Sequence, residues 1–169
     1  MSQEQTVITT PRTAPNEAGT ALVEFALVLP LFLVMLIGMV DFGKGFNYWI
    51  DQTHIANQGA RFAVVNRNPG EAAGDTLQQY IREHAQTDEL ESGGTDTVED
   101  PLIVCIDFPN GGTPAAGDPV TVRVITTYDW MPFLDANIDV SEVTITGSAT
   151  MRLEAKPTEF STASNSEEC

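Results

Sequence analysis

The sequence predicts an α+β fold, in which a long N-terminal helix with a membrane-embedded first half precedes a second helix and a small antiparallel sheet of three to four strands. Three observations lead to this prediction. The stretch Phe25–Val40 is apolar and carries no charge. Residues 42–66 contain no proline and place apolar side chains near helical spacing. The last third of the chain alternates apolar and polar residues, which is typical of strands.

The apolar stretch predicts a membrane-spanning helix. With Thr20–Val23 it forms a segment whose only charge is Glu24, and about 20 apolar residues in a helix span a bilayer core of roughly 30 Å. A buried core helix is the alternative, but such a helix is rarely apolar on every face. A secretory signal peptide fits poorly, because Arg12 is the only basic residue before the stretch. Pro30 is expected to kink or loosen the helix.

The helix is predicted to continue into solvent as far as Asn66, where stop signals follow. Gly43 marks a place where it can bend. Gly59, Ala60 and Ala63 suit close packing, and contact with the protein's own sheet is favoured over contact with another helix.

A second helix is predicted from Glu71 to about Glu91, because apolar residues recur there at helical spacing. The acidic stretch Asp88–Asp100 is rich in Gly, Ser and Thr. Its carboxylates are compatible with calcium, but the residue order of an EF-hand loop is missing, so a solvated loop is favoured.

Strands are predicted at Leu102–Phe108, Val120–Tyr128 and Val143–Leu153. The first is apolar nearly throughout, as expected of a central strand, and a Pro/Gly-rich link to the second indicates an extended hairpin. In the second, the valines and the Thr/Arg residues occupy opposite faces. Trp130–Leu134 reads as an apolar loop that either caps the core, which is favoured, or contacts a neighbouring protein.

The charge balance limits the possible partners. The chain holds 24 acidic and 8 basic residues, a net charge of −16. Nucleic acids and anionic lipid headgroups need a positive surface, so neither is predicted as an electrostatic partner. The acidity is interpreted as solubility for an exposed domain.

No catalytic pattern is present in the sequence, so we predict no enzyme, no cofactor and no metal site. His54 and His84 are not in metal-ligand spacing, and no phosphate loop or nucleophile motif occurs. A Cys105–Cys169 disulfide would pin the C-terminal tail if the domain faces an oxidising compartment. A buried free Cys105 with an unpaired Cys169 is the alternative.

The residues around the start of the apolar helix resemble a processing site. Gly19 is followed by Thr20-Ala21-Leu22-Val23 and then by Glu24-Phe25, an order similar to that of type IV prepilins. The resemblance implies that a prepilin peptidase cuts after Gly19. The new amino group on Thr20 would then pair with Glu24 of a neighbouring subunit, which satisfies both charges in a filament core. The alternative is that Glu24 is solvated at headgroup depth.

A more specific resemblance covers the N-terminal half. The string GTALVEFALVLPLFLVMLIGMVDFGKGF, followed by IANQGARFA, is similar to TadE-like proteins, pilin-like components of the Tad (tight adherence, Flp pilus) machine. That family has Glu-Phe at the helix start, a proline inside the helix, an acidic-Phe-Gly exit and a Gly-Ala-Arg motif. The string VTITGSATMR resembles its closing strand. The leader differs in being poor in basic residues, which bears on processing efficiency.

The resemblance implies a pilin-like domain organisation. Residues 1–19 would be the leader, 20–41 the transmembrane helix and 42–66 its soluble continuation. Residues 67–156 would form a periplasmic or extracellular α+β domain, and 157–169 a flexible tail. The implied localisation is the bacterial inner membrane, in a single pass with the C-terminal domain outside the cytoplasm, and the pilus itself after assembly.

The implied function is that of a minor pilin, or pseudopilin, supporting pilus biogenesis, adhesion and biofilm formation. Its partners would be other pilin and pseudopilin subunits, the prepilin peptidase, the inner-membrane assembly platform and the lipid bilayer. The alternative function is an unprocessed, signal-anchored periplasmic binding or scaffold module.

Overall fold

The structure is a computed structural model that describes residues 17–111, 113–130, 142–160 and 169. The chain divides after Met39 into an N-terminal unit and a C-terminal unit, Val40–Cys169. The helices are α1 (Glu17–Val64), α2 (Leu77–Glu83) and α3 (Asp88–Ser92), and the strands are β1 (Ile103–Asp107), β2 (Pro119–Asp129) and β3 (Glu142–Arg152). A 3-10 turn at Glu71–Ala73 precedes α2. The predicted α+β class is confirmed.

Helix α1 runs without interruption through Pro30 and ends at Val64 rather than at the predicted Asn66. After Met39 its buried residues recur at spacings of three and four, which places them on one face. They are Tyr48, Asp51, Gln52, Ile55, Ala56, Gly59, Ala60 and Ala63. The three alanines let this part of the helix approach its neighbours closely.

The sheet has the strand order β1-β2-β3, and both pairings are antiparallel. Along β2 every second residue is buried, because one face of the sheet packs against the helices. The core-facing residues of β1 and β2 are Val104, Ile106, Val120, Val122, Val124, Thr126 and Tyr128. The predicted assignment of the β2 valines to one face is therefore confirmed.

Among the described strands β1 lies at an edge, so the expectation that Leu102–Phe108 forms a central strand is wrong. The apolar run has a different cause, which is burial on both faces. Val104 and Ile106 face the core, while Cys105 on the opposite face is fully buried and bonded to Cys169. A strand covered on both faces has the composition of a central strand wherever it lies.

The prediction of one helix from Glu71 to Glu91 is also wrong, because the segment is divided into the 3-10 turn, α2 and α3. Gly74 has a φ of 89° and ends the first piece in the left-handed conformation. Thr76 then starts α2 through a capping box. Its hydroxyl accepts the Gln79 N–H, and the Gln79 side chain accepts the Thr76 N–H.

The acidic stretch Asp88–Asp100 is not simply a solvated loop, contrary to expectation. It begins with α3, and Leu90 and Val98 are fully buried in the core. Lys44 of α1 reaches the stretch with its ammonium group, 3.0 Å from a carboxylate oxygen of Glu89. Two apolar side chains and one ion pair thus fold this acidic sequence onto the domain.

Strand β3 touches α1 at Gly147 without a side chain between the two backbones. A Cβ atom on Gly147 would lie 2.5 Å from the backbone nitrogen of Thr53 and 2.6 Å from the carbonyl oxygen of Gln52. Both distances are too short for any carbon contact, so only glycine permits this crossing.

Candidate assembly site on helix α1

The N-terminal unit exposes an apolar helical surface. Among the described residues one helix, Gly19–Val64, is long and apolar enough to cross a membrane. None of its most apolar window is buried within the protein. Its exposed large side chains up to Met39 are 40% to 76% accessible, and they are Leu22, Val23, Phe25, Leu27, Val28, Leu31, Phe32, Leu33, Val34, Met35, Leu36, Ile37 and Met39. A continuous apolar surface of this kind requires lipid or protein as its surroundings.

The predicted processing and assembly residues lie together at the start of α1. Gly19, Thr20, Glu24 and Phe25 are all exposed. The Gly19–Thr20 bond is in the first turn, where backbone N–H groups have no partner within the helix and fraying is easiest. Glu24 follows about one turn later and is the only charged side chain in an otherwise apolar surface.

In the C-terminal unit, Asp41 of α1 is bound by the sheet. The hydroxyl of Tyr128 donates a short hydrogen bond to Asp41 Oδ1, and the Tyr128 ring packs edge-on against Tyr48 with centroids 5.5 Å apart. Burial raises the pKa of Tyr128 above its ordinary value of 10.0, and the Asp41 carboxylate raises it further. The phenol therefore keeps its proton and remains a donor to Asp41 at neutral pH.

Asp51 ties the link between α2 and α3 to α1, and sequence reasoning missed it. The residue is only 6% exposed. Its carboxylate accepts the backbone N–H groups of Gln86 at 3.0 Å and Thr87 at 3.2 Å. The available signal was an acidic residue on the helix face that also carries Tyr48 and Ile55, where a buried carboxylate needs donors.

Gly59 and Ala60 of the Gly-Ala-Arg motif lie within the C-terminal unit's own core, whereas Arg61 is exposed. A Cβ atom on Gly59 would be 2.5 Å from Cδ1 of Ile81 and 3.4 Å from Cγ1 of Val122. Ala60 and Ala63 are fully buried. We expected these small residues to contact the protein's own sheet rather than a helix, and this is only partly right. Gly59 approaches Val122 of β2 but lies closer to Ile81 of α2.

Cys105 and Cys169 are joined in a disulfide, with their Cα atoms 5.6 Å apart and a sequence separation of 64 residues. The bond attaches the end of the chain to the face of β1 that points away from the helices. Disulfides persist mainly in oxidising compartments.

The described residues hold no group of three or more His, Cys, Asp or Glu side chains that could bind a metal ion. His84 stacks against Tyr80 with ring centroids 4.0 Å apart, and its Nδ1 lies 2.8 Å from the Tyr80 carbonyl oxygen. His54 is exposed on α1. His84 therefore makes contacts within its own helical segment, and His54 faces solvent.

Of the predicted apolar loop Trp130–Leu134, only Trp130 is among the described residues. Its ring centroid lies 6.1 Å from those of Phe42 and Tyr128. Residues 131–134, the leader up to residue 16 and tail residues 161–168 lie outside the described part of the chain.

The candidate residues form two separate groups, the start of α1 and the cysteine pair. Residues 19–61 match the family model described as TadE-like protein. This range begins at the predicted cleavage glycine and includes Glu24-Phe25, Pro30 and the Gly-Ala-Arg motif. No curated protein and no solved structure matches the chain significantly. Over Gly19–Arg61 the chain is similar to the TadE-like family, and this similarity suggests a minor pilin type of role related to the Tad pilus.

Proposed function

We propose that this protein is a minor pilin of a Tad-type pilus, processed by a prepilin peptidase and assembled through α1. The observation that carries the proposal is the TadE-like match over residues 19–61, a range that contains the exposed apolar surface of the N-terminal unit. A helix apolar on every face can be stored in a bilayer and later packed among like helices. The role is structural and needs neither a cofactor nor a catalytic residue of this chain.

The proposed processing step is hydrolysis of the Gly19–Thr20 peptide bond. Water adds to the Gly19 carbonyl, which becomes a carboxylate on the leader, and the Thr20 nitrogen leaves as a protonated amine. The position in the first helical turn supports this step, because a peptidase needs locally extended backbone. Glycine also lets the catalytic groups of the peptidase approach the bond.

In the assembled state, the Thr20 ammonium of one subunit pairs with Glu24 of its neighbour. Each charge would be costly alone in an apolar filament core, and the pair removes both costs. The pairing also sets the axial position of each subunit. Assembly of this kind supports pilus biogenesis and, through the pilus, adhesion and biofilm formation.

The proposed location is the inner membrane, in a single pass with the C-terminal unit outside the cytoplasm. The Cys105–Cys169 disulfide supports this orientation, because cytoplasmic thiols are kept reduced. Of the 24 acidic residues of the chain, all but Glu4, Glu17 and Glu24 lie in the C-terminal unit, and this acidity suits a domain surrounded by water on that side.

Mass spectrometry of the membrane-extracted protein tests the processing step. The expected N-terminus is Thr20 in competent cells and Met1 in cells that lack prepilin peptidase. An intact Met1 terminus in competent cells would overturn processing and favour the signal-anchored module.

The Glu24→Ala variant tests the pairing. We expect normal membrane insertion and cleavage but loss of the protein from sheared pili. Glu17→Ala is the matched control, since residue 17 is removed with the leader and incorporation should be unchanged. Wild-type amounts of Glu24→Ala in sheared pili would contradict the role of Glu24.

A further inference from the structure

A cavity of about 280 Å³ lies between α2 and the sheet, in the C-terminal unit and apart from the assembly site. Gln78 and Arg82 of α2 form one wall. Leu102 and Val104 form another, and Thr126 of β2 lines the cavity from the sheet. Its walls thus combine an apolar surface with a guanidinium, an amide and a hydroxyl.

Two of the polar groups are buried without a protein partner. Thr126 is 3% exposed, and its Oγ1 makes no hydrogen bond to any residue that the structure describes. The same holds for the buried Nε of Arg82. A buried polar atom left unsatisfied is destabilising, so such atoms are rare in native proteins and point to a ligand or to ordered solvent. Both atoms belong to residues that line the same cavity.

No described residue forms an ion pair with Arg82. The described residues contain two ion pairs, Lys44–Glu89 and Arg123–Asp107, and Arg82 is in neither. Among the residues that the structure describes, Asp100 is the one acidic residue that lines the cavity. It is exposed, so solvent and salt screen its charge.

The backbone adds a donor at the cavity mouth. Pairing of β1 with β2 stops at Ile103 opposite Ile125, whereas β2 continues to Asp129. The Asp129 N–H donates a hydrogen bond to the carbonyl oxygen of Thr97, a residue that precedes β1 in the chain. Because N–H groups alternate along a strand, the N–H of Thr127 points to the same side, and Thr127 lines the cavity.

We propose that this cavity binds a carboxylate group carried on a short apolar body. The Arg82 guanidinium and the Thr126 hydroxyl donate to the carboxylate oxygens, and Leu102 and Val104 contact the apolar part. Guanidinium is the protein group that best matches a planar carboxylate. Two sources share this chemistry, a free branched-chain carboxylic acid and the C-terminal carboxylate of a peptide ending in an apolar residue.

Calorimetric titration of the full chain in detergent tests the proposal. The probes are isovalerate and the tripeptide Ala-Leu-Val, and their uncharged controls are isovaleramide and the C-terminally amidated tripeptide. We expect saturable binding of at least one carboxylate probe and none of either amide. Binding of isovalerate alone identifies the free acid as the source, and binding of the tripeptide alone identifies the chain terminus.

Three variants test how much each polar residue of the cavity contributes to binding of the carboxylate probe. Arg82→Gln should weaken binding roughly tenfold or more, because charge-assisted hydrogen bonds are lost. Thr126→Val should weaken binding about fivefold while the unliganded protein keeps or raises its Tm, since a buried unsatisfied hydroxyl is removed. Asp100→Asn is the charge control and should change binding less than about twofold, because solvent and salt already screen this exposed carboxylate.

The Thr126→Val result separates a ligand site from a structural or hydrated one, because a purely structural hydroxyl would lower Tm when removed. Absence of saturable binding by both carboxylate probes overturns the proposal. Equal binding of acid and amide, or binding unchanged by Arg82→Gln, overturns it as well.

Discussion

The two halves of α1 share one secondary structure but have opposite surroundings. In the first half, Thr20–Val40, apolar side chains are exposed around the helix, and the single charge, Glu24, is exposed as well. In the second half, Asp41–Val64, one face is buried in the domain core and carries polar groups such as Asp51 and Gln52. The difference shows that the distribution of side chains around a helix, and not helix formation itself, determines what the helix packs against. The first half needs lipid or another protein to cover its apolar surface, whereas the second half contributes one buried face to the core of its own domain.

This comparison makes a general prediction. Substitutions that disturb the second half or its partners should destabilise the C-terminal unit, and matched substitutions in the first half should not. All measurements below use the full chain in detergent, with unfolding followed by near-ultraviolet circular dichroism of the aromatic residues.

Loss of the disulfide should give the largest effect. Cys105→Ser removes a cross-link with a sequence separation of 64 residues, and loop entropy predicts a loss of about 4 kcal/mol in the free energy of unfolding. Cys169→Ser should give a similar loss, and the double variant should add little. Wild-type stability of the single variants would show that the disulfide to Cys169 does not stabilise the C-terminal unit.

Overpacking should distinguish the two halves directly. Ala60 is fully buried, so Ala60→Leu should lower the free energy of unfolding by about 3 kcal/mol, because the added methylenes have no space. Ala26 is exposed in the first half, and Ala26→Leu should leave unfolding of the C-terminal unit unchanged. Equal losses in the free energy of unfolding for Ala60→Leu and Ala26→Leu would contradict the claim that only the second half of α1 packs in the domain core.

Removal of the Asp51 carboxylate should cost about 2 kcal/mol, because two backbone N–H groups lose a charged acceptor. The measurement is chemical denaturation of Asp51→Ala. Glu24→Ala serves as the matched acid in the first half and should not shift the midpoint. A stable Asp51→Ala protein would mean that the link between α2 and α3 is held by other contacts.

The smallest effect is expected at Tyr128→Phe, which removes the hydrogen bond to Asp41 and should cost about 1 kcal/mol at neutral pH. The pKa of Tyr128 is raised in the folded state, so the native protein holds this proton more tightly than the unfolded chain. The contribution is present below pH about 10 and decreases as the pH rises above it. Tyr128→Phe should remove that part of the alkaline decrease, and an unchanged alkaline profile would contradict the contact.

The sequence revealed those features that depend on local pattern. The apolar first half and the alternation in β2 are each contained in a short stretch, so composition and periodicity were sufficient. The roles of Gly19, Thr20 and Glu24 stay predictions. Breaks in local pattern were harder to interpret, because Gly74 ends one helical piece and a Thr76 cap begins another within a segment that keeps helical spacing.

Contacts between distant segments were not predictable. Asp51 meets Gln86 because the link between α2 and α3 folds onto α1, and Tyr128 meets Asp41 because the sheet does. The edge position of β1 was concealed because Cys169 covers its outer face and gives it the composition of an interior strand. The cavity beside Arg82 likewise depends on where β1 stops pairing with β2, which no single segment encodes.

The disulfide also determines how the molecule would respond to mechanical force. If α1 and Cys169 were pulled apart, the tension would enter the sheet at Cys105, and the residues between the two cysteines would remain outside the loaded path. Those 64 residues of separation would otherwise release roughly 210–230 Å of contour length. With the bond intact, the domain can unravel only between its helix and β1, so most of the sheet is shielded from tension along the chain.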